Sequence, residues 1–278
     1  MGVLNLTPDS FSDGGRWSEP ARAVESALSM LAEGADLLDL GAESTRPGGG
    51  VYGEGARTVP AAQEIDRLLP VLEPLRRATA APLSVDTRKG EVARQAIAAG
   101  ADLINDVSAL SDPALGEAVA AAACPLVLMH SRGELAVMQR EISFADVMAE
   151  IREELAAAVR RAKAAGIAEE QLILDPGIGF GKTLEQNLLL IRRLGDLAAL
   201  GRPLLLGASR KSFIGHVLES QGPPETPPPP PTARLSGSLA AVAWAAALPA
   251  AIVRVHDVAE TAQFLTVWRA IAQAGEPR

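Results

Sequence analysis

Short apolar runs recur along this chain, each followed by polar residues and then by a segment whose apolar residues return every three or four positions. Such a run is typical of a buried strand, and the longer period is typical of a helix packed on one face. The predicted strands are Met1–Leu6, Ala35–Leu40, Leu83–Val85, Ala101–Ile104, Leu126–Met129, Leu172–Leu174, Pro203–Leu206 and Ala251–Val255. Predicted helices include Ala21–Leu31, Ile65–Leu75, Gly90–Ala99, Pro113–Ala123, Phe144–Ala165, one from Leu184 and one ending near Ala272.

This alternation of strand and helix favours a single (β/α)8 TIM barrel over residues 1–278 rather than a doubly wound sheet. The catalytic face of such a barrel is the one at the carboxyl ends of the strands. One segment departs from the pattern: residues 222–231 read GPPETPPPPP and are predicted to be extended or polyproline-like. We interpret this segment as a spacer in the seventh strand-to-helix connection, with a ligand for an SH3-type domain as the alternative.

Composition narrows the class of protein. Apolar residues make up 48% of the chain and aromatic residues only 3%, so the core must be built from Ala, Leu, Val and Ile, which suits parallel strands covered by helices. A net charge of −8 argues against a nucleic-acid partner. No apolar run is long enough to span a bilayer, so we expect no membrane partner and a cytoplasmic location. Lone Cys124 lies in an apolar run and is predicted to be a buried, inert thiol.

The stretch DPGIGFGKT, residues 175–183, follows the sixth predicted strand and precedes a helical period. It resembles two phosphate motifs without matching either, because a Walker A loop needs glycine at Pro176 and the dinucleotide pattern needs glycine at Lys182. One interpretation is a loop that brings backbone close to a ligand, with Asp175 as the specific contact. The other is a tight turn in which Asp175 caps the following helix.

Polar residues gather just after the other strands as well. The resulting set of candidates is Asn5, Arg46, Asp86, Asn105, Asp175, Lys211, Arg254 and His256. Carboxylates and amides suit a donor-rich ligand, whereas two arginines and a histidine suit an anion such as a diphosphate. Asn5 offers an oxygen ligand for Mg²⁺ held mainly by substrate phosphates. Neither a Ser-His-Asp order nor the spacing of a catalytic zinc site is present.

Three alternatives stay open for these residues. Arginines inside barrels also pair structurally with strand-end aspartates. His256 followed by Asp257 also fits a helix cap with a neighbouring histidine. His130 has no second histidine nearby, which favours a core or supporting role over a metal ligand.

Eight motifs, in order along nearly the whole chain, resemble the dihydropteroate synthase family. They are GVLNLTPDSFSDGG at 2–15, ESTRPG at 43–48, SVDTRK at 84–89, NDVS at 105–108, LMH at 128–130, DPGIGFGKT at 175–183, GASRKSFIG at 207–215 and IVRVHD at 252–257. The resemblance implies a TIM-barrel transferase of folate synthesis, a homodimer that uses Mg²⁺. Its reaction would condense 6-hydroxymethyl-7,8-dihydropterin diphosphate with 4-aminobenzoate, giving 7,8-dihydropteroate and diphosphate.

The same resemblance implies roles for particular residues. The pterin would be held by Asp86, Asn105, Asp175 and Lys211, of which Asp175 meets its 2-amino and ring N–H edge. The diphosphate would be held by Asn5, Arg46, Arg254 and His256, with Asn5 also meeting the metal. The 4-aminobenzoate site, where sulfonamides compete, would be lined by Thr45, Pro47, Phe180, Ser209 and Arg210. Of all these residues, the catalytic set would be Asp86, Asp175, Lys211 and Arg254.

Two other hypotheses are compatible with a pterin pocket. A pterin-binding methyltransferase that passes a methyl group to a corrinoid shares the pocket but needs no diphosphate clamp, so Arg46, Arg254 and Ser209-Arg210-Lys211 favour the synthase. A catalytically silent paralogue, acting as a partner subunit, would bind pterin without releasing diphosphate.

Overall fold

Each apolar run predicted as a strand forms one in the computed structural model. The structure describes residues 1–7, 19–44, 58–133, 138–139, 142–223 and 227–275. The strands are β1 Gly2–Asn5, β2 Leu38–Gly41, β3 Leu83–Asp86, β4 Leu103–Asp106, β5 Leu126–Met129, β6 Leu172–Asp175, β7 Leu204–Leu206 and β8 Ala251–Val253. The α-helices are α1 Glu19–Ala32, α2 Ala61–Ala78, α3 Gly90–Ala98, α4 Pro113–Ala122, α5 Val147–Ala164, α6 Leu184–Arg192, α7 Leu194–Leu197, α8 Ser212–Ser220, α9 Leu235–Ala246 and α10 Val258–Ala272.

The strands form one parallel sheet in the order β1 to β8. Backbone just beyond β8 closes the ring against β1: Gly2 pairs in parallel with Val255, and Val3 N donates to Val255 O at 3.0 Å. The predicted (β/α)8 barrel is therefore confirmed.

Side chains alternate between the two faces of each strand, and this alternation divides the core. Leu126 and Leu128 on β5 belong to the large apolar layer between strands and helices. Val127 between them belongs to a small separate cluster with Leu103 and Leu205, which fills the interior of the barrel. The interior is thus apolar at the level of these residues.

The same alternation decides what lies inside at the carboxyl ends of the strands. Val85, Ile104 and Leu174 pack outward in the layer beneath the helices. Their successors Asp86, Asn105 and Asp175 therefore project inward, and all are buried. The alternation of side chains along each strand thus places these polar groups inside the barrel at the carboxyl ends of the strands, above an apolar interior.

The proline-rich segment 222–231 lies between α8 and α9. Residues 227–230 have no regular secondary structure, Pro230 has polyproline-like torsions of φ −60° and ψ 158°, and Pro231 begins a short 3-10 helix, Pro231–Ala233. Arg234 Nε, at the start of α9, donates to Pro229 O at 2.9 Å. Separately, in the described parts of the chain no helix has the length and apolar character needed to cross a membrane.

We predict that Gly90→Ala destabilises the fold by about 1–3 kcal/mol, the range for overpacking a tight core position. A Cβ at Gly90, the first residue of α3, would lie 2.4 Å from the carbonyl carbon of Ala114 in α4. The matched control is Gly195→Ala in α7, where the nearest atom, Leu248 Cδ2, is 3.6 Å away. Guanidinium unfolding measures both, and equal stability of the two variants would contradict this packing constraint.

Candidate active site

The register of the parallel sheet places the carboxyl ends of β1, β2, β3 and β4 side by side. Asn5 is opposite Gly41, Gly41 is opposite Asp86, and Asp86 is opposite Asn105. On the other side of the barrel Asp175 is opposite Met129. Since Gly41 has no side chain, the inward space beside Asp86 stays open, and a Cβ there would meet Asp86 Cβ at 3.7 Å.

Arg254, just after β8, is shared between two buried carboxylates. Its Nε donates to Asp39 Oδ2 at 2.6 Å, and one Nη donates to Asp86 Oδ2 at 3.1 Å. Asp39 is fully buried on β2 and also accepts from Asn105 Nδ2 at 3.1 Å and from the Ser84 hydroxyl. The alternative that Arg254 pairs with a strand-end carboxylate therefore describes its geometry, and Asn105 joins the same network.

Among the described residues, only one of the two carboxylate oxygens of Asp86 has a hydrogen-bond partner. Its Oδ2 accepts from Arg254, whereas in the described part of the chain its buried Oδ1 has no hydrogen-bond partner. Burial raises the pKa of Asp86 to about 7; the Asp39 carboxylate adds to that rise, and Arg254 opposes it. A buried polar atom without a partner is costly, so Oδ1 is an acceptor available to a ligand donor.

Asp175 faces Lys211 across a small gap. A Cβ placed at Gly207 would lie 3.9 Å from Asp175 Oδ2 and 4.0 Å from Lys211 Nζ, so glycine at 207 keeps that gap open. Burial raises the pKa of Asp175 although Lys211 lowers it, and burial lowers the pKa of Lys211 to about 8. Both groups are thus held in a water-poor environment that penalises their charge.

Asp175 does not cap the helix that follows it. Its Oδ1 accepts from Gly177 N at 2.7 Å, within the turn. Helix α6 is capped instead by Thr183, whose hydroxyl accepts from Gln186 N. The second oxygen of Asp175 is then not occupied by a helix terminus.

Phe180 lies in the turn after β6, packed with Val107, Met129 and Met138. Lys211 Nζ sits 4.6 Å from the centre of its ring. This cation–π contact places Phe180 directly beside the predicted pterin residues.

Ser209 and His256 form a hydrogen-bonded pair just after β7 and β8. His256 N donates to Ser209 Oγ at 3.2 Å, and Ser209 Oγ lies 3.1 Å from His256 Nδ1. The Ser209 hydroxyl can donate to Nδ1 while it accepts from the backbone, and in that arrangement the imidazole proton lies on Nε2. Burial, helped by Arg254 and Arg210, lowers the pKa of His256 to about 4, so the ring is neutral at pH 7.

Arg210 is held by Asp257 at the start of α10. Its Nε donates to Asp257 Oδ2 at 3.0 Å, and an Nη donates to Oδ1. Asp257 occupies the N-cap position of α10, as the helix-cap alternative has it, but its carboxylate makes no capping hydrogen bond and pairs with Arg210 instead. The guanidinium of Arg210 is therefore already paired with the Asp257 carboxylate before any ligand binds.

The remaining predicted residues follow the first two strands in the sequence. Asn5 is exposed at the end of β1, where its amide can reach a ligand from solvent. Thr45, Arg46 and Pro47 lie outside the described residues. Within the described ranges, no group of three or more His, Cys, Asp or Glu side chains is placed to hold a metal ion.

Sequence reasoning missed two buried residues of the site, Asp39 and Lys182. Asp39 interrupts the apolar run Leu37–Leu40, and a buried strand with one carboxylate is the signal that could have identified it. Lys182 is 3% exposed, and its Nζ lies 3.0 Å from His130 Nδ1 and donates to Phe180 O at 2.8 Å. His130 is accordingly a supporting residue rather than an isolated one.

The assembled site has two chemical halves. Asp86 and Asp175, here called the acceptor pair, can each accept from a donor-rich, planar ligand edge. Arg254, Lys211 and the Nε2 of His256 can attract or donate to an anion. The geometry suits a ligand that is both donor-rich and anionic.

Comparisons with known proteins point the same way. The family model described as pterin binding enzyme matches residues 1–256. A dihydropteroate synthase from Synechocystis is 44% identical over 274 residues, covering 97% of this chain and 90% of that protein. A Yersinia pestis dihydropteroate synthase in a sulfonamide drug complex gives a TM-score of 0.88 at 42% identity, covering 99% of this chain and 94% of that one. The Xanthomonas albilineans enzyme with 4-aminobenzoic acid gives 0.87 at 45% identity, covering 100% and 93%.

We predict that the Asp86 carboxyl titrates near neutral pH and that Asp39→Asn lowers its midpoint, because Asp39 is one of the negative groups that raise it. Carboxyl ¹³C resonances followed against pH measure this, and Asp86→Asn identifies the resonance by its loss. Between pH ~4, the ordinary pKa of an aspartate, and the raised pKa, the Asp86 carboxyl is protonated in the folded chain and ionised in the unfolded chain. Its contribution to the free energy of unfolding therefore falls as the pH rises through that range. A wild-type midpoint near 4 would contradict the assignment.

Proposed function

The chain belongs to the pterin-binding enzyme family, among its dihydropteroate synthases, and from that premise we propose how its residues divide the work of the reaction. Members of this branch are transferases of folate synthesis. The reaction joins the pterinylmethyl group of 6-hydroxymethyl-7,8-dihydropterin diphosphate to the amine of 4-aminobenzoate, giving 7,8-dihydropteroate and diphosphate. The observation that carries the assignment is the buried acceptor pair, in which Asp86 Oδ1 has no partner within the described residues.

The acceptor pair recognises the pterin. Its 2-amino group and ring N–H present donors in one plane, and a carboxylate accepts two such bonds with the fork geometry of an arginine pair. We assign this edge to Asp175, whose Oδ2 faces the gap at Gly207, and a further ring donor to Asp86 Oδ1. Asn105 and Lys211 complete the pocket, Asn105 by its amide and Lys211 by its position over Phe180.

Arg254, Arg46 and His256 receive the diphosphate. Arg254 is 22% exposed and has guanidinium donors beyond those given to Asp39 and Asp86, and the neutral His256 ring can donate through Nε2. Arg46 is assigned on its motif alone, since it lies outside the described residues. The leaving diphosphate gains negative charge as the bond to the pterin carbon breaks, so fixed donors at these positions stabilise the transition state.

A magnesium ion fits the donors at the mouth. The exposed amide oxygen of Asn5 is a suitable single protein ligand for a hard cation that keeps most of its contacts with phosphate and water. When bound there, the ion would neutralise part of the diphosphate charge. Asn5, in this proposal, holds the ion and orients the phosphates.

The 4-aminobenzoate site forms around Phe180 and the Ser209-Arg210 backbone, with Thr45 and Pro47 assigned by motif. Phe180 supplies a ring for stacking, already placed beside Lys211. No general base is required, because the aniline nitrogen is neutral at pH 7 and the pterin carbon gains carbocation character as diphosphate leaves. Orientation of the amine is then the main contribution of this half of the site. Sulfonamides would compete here.

The proposal extends to a cytoplasmic homodimer with a single domain over residues 1–278. Large apolar side chains are exposed on α6, α8, α9 and α10, where α6 packs against α8 and α9 and α9 packs against α10, and we assign the dimer interface to these helices. The exposed side chains are Leu188, Leu189, Leu218, Trp244, Val267 and Ile271. Cys124 is a free buried thiol, which suits a reducing compartment.

The direct test is diphosphate release from dihydropterin diphosphate, measured with and without 4-aminobenzoate and Mg²⁺. We expect release only when all three are present. Pterin binding with no diphosphate release would instead identify a silent paralogue, and activity that depends on a corrinoid would identify a methyltransferase.

We predict that Asp175→Asn weakens pterin binding by about 2–5 kcal/mol, the range for removing one partner of a buried charged pair. The amide presents a donor to the donor edge of the ring, while the fold is retained. Titration calorimetry with a pterin analogue measures the loss. Asp196→Asn, at an exposed ion pair with Arg193, is the matched control and should bind like wild type; unchanged affinity in Asp175→Asn would remove the assignment.

A second prediction concerns the anion. Arg254→Ala should weaken binding of pterin diphosphate by about tenfold more than binding of the same pterin without diphosphate, the size of one charge-assisted hydrogen bond. Turnover should fall as well. Arg202→Ala, which removes an arginine paired with Glu169 instead, serves as the control. Equal losses for the two pterins would show that Arg254 serves the pterin pocket or the scaffold only.

A further inference from the structure

Three consecutive carbonyls in the turn after β6 each accept a hydrogen bond from a long side chain. Lys211 Nζ donates to Ile178 O, Gln139 Nε2 donates to Gly179 O, and Lys182 Nζ donates to Phe180 O at 2.8 Å. The donors come from three different parts of the chain. The turn is therefore fixed from several sides, which a simple connection between a strand and a helix does not need.

Lys182 is the unexpected member of this set. It is 3% exposed, and among the described residues its Nζ hydrogen-bonds with Phe180 O and His130 Nδ1. In the described part of the chain it forms no ion pair. An ammonium buried without a counter-charge is costly, and burial lowers the pKa of Lys182 to about 7 although Asp175 opposes the shift. Packing alone would be better served by an apolar side chain.

A chain of contacts holds Lys182 from behind. His130 Nε2 lies 2.8 Å from Glu154 Oε2 on α5, and Arg132 donates to the other oxygen of Glu154. Burial lowers the pKa of His130 to about 4, so the ring is neutral at pH 7. Its single proton then belongs on Nε2, toward Glu154, and Nδ1 is left to accept from Lys182. The ammonium is thereby directed at Phe180 O.

The residue held in this way carries the aromatic ring of the site. The Phe180 side chain is fixed by Val107, Met129 and Met138, and its carbonyl by Lys182. We propose that Lys182 is a positioning residue which, through the Phe180 carbonyl, fixes the ring against which 4-aminobenzoate stacks. This inference rests on the function proposed above. Lys182 Nζ is bonded to His130 and to the Phe180 carbonyl, and Phe180 is assigned to 4-aminobenzoate, so we expect its effect in the aminobenzoate half of the site.

The experiment compares Lys182→Met with Lys163→Met in the diphosphate-release assay. We expect the KM for 4-aminobenzoate to rise about tenfold in Lys182→Met, as for the loss of one charge-assisted hydrogen bond, with the KM for dihydropterin diphosphate unchanged. Lys182→Arg, which keeps the charge and donors, should recover part of the loss. Lys163 pairs with Glu169 on the exposed end of α5, so Lys163→Met should leave both constants unchanged.

Two results would overturn the inference: an unchanged KM for 4-aminobenzoate, or equal rises for both substrates, which a general loss of structure would give. If Lys182→Met does not fold, Gln139→Ala removes the donor to the adjacent carbonyl without touching a buried charge. That variant must then raise the same KM selectively, and an unchanged KM overturns the inference. A wild-type chain that releases no diphosphate would instead overturn the proposed function. If the wild type is active and Lys182→Met has an unchanged KM for 4-aminobenzoate, this inference fails and the proposed function stands.

Discussion

A single guanidinium shared by two buried carboxylates sets the polarity of the catalytic face. Arg254 joins Asp39 on β2 to Asp86 on β3, and Asp39 in turn holds Asn105 on β4. Without this cation, carboxylates at adjacent strand ends would face one another in a water-poor interior, which is strongly unfavourable. Because Arg254 engages only one oxygen of Asp86, the other remains for a ligand. Asp86 of the acceptor pair thus depends on a residue that we also assign to the diphosphate.

Binding at this face, as we propose it, adds contacts to groups that have no partners among the described residues of the free site. In the proposed complex, pterin donors meet the acceptor pair, and the phosphates take the Arg254 donors that Asp39 and Asp86 leave over. The chain carries a net charge of −8, so attraction for an anion has to be local. It comes from Arg254 and Lys211, supported by the uncharged His256 donor. Donors fixed in advance lower the energy of the departing diphosphate without reorganisation during the reaction.

The sequence was most informative where a local period has a direct structural meaning. Apolar runs located all of the strands, and the polar residues after them fell on one face because parallel strands share a direction. Asp39 and Lys182 were missed because their importance depends on which neighbours the closed barrel brings to them: Arg254 for Asp39, and His130 for Lys182. Arg210 shows the same limit, since its bidentate pairing requires α10 to begin beside β7. Periodicity fixes which way a side chain points and not what it meets there.

The acceptor pair is tested most directly by a crystal structure of this chain with a 6-hydroxymethylpterin bound, in the absence of diphosphate. We expect the 2-amino and ring N–H donors on Asp175, a further ring donor on Asp86 Oδ1, and Arg254 still bonded to Asp39. A pterin ring whose donor edge faces away from both Asp86 and Asp175 would contradict this assignment of the site.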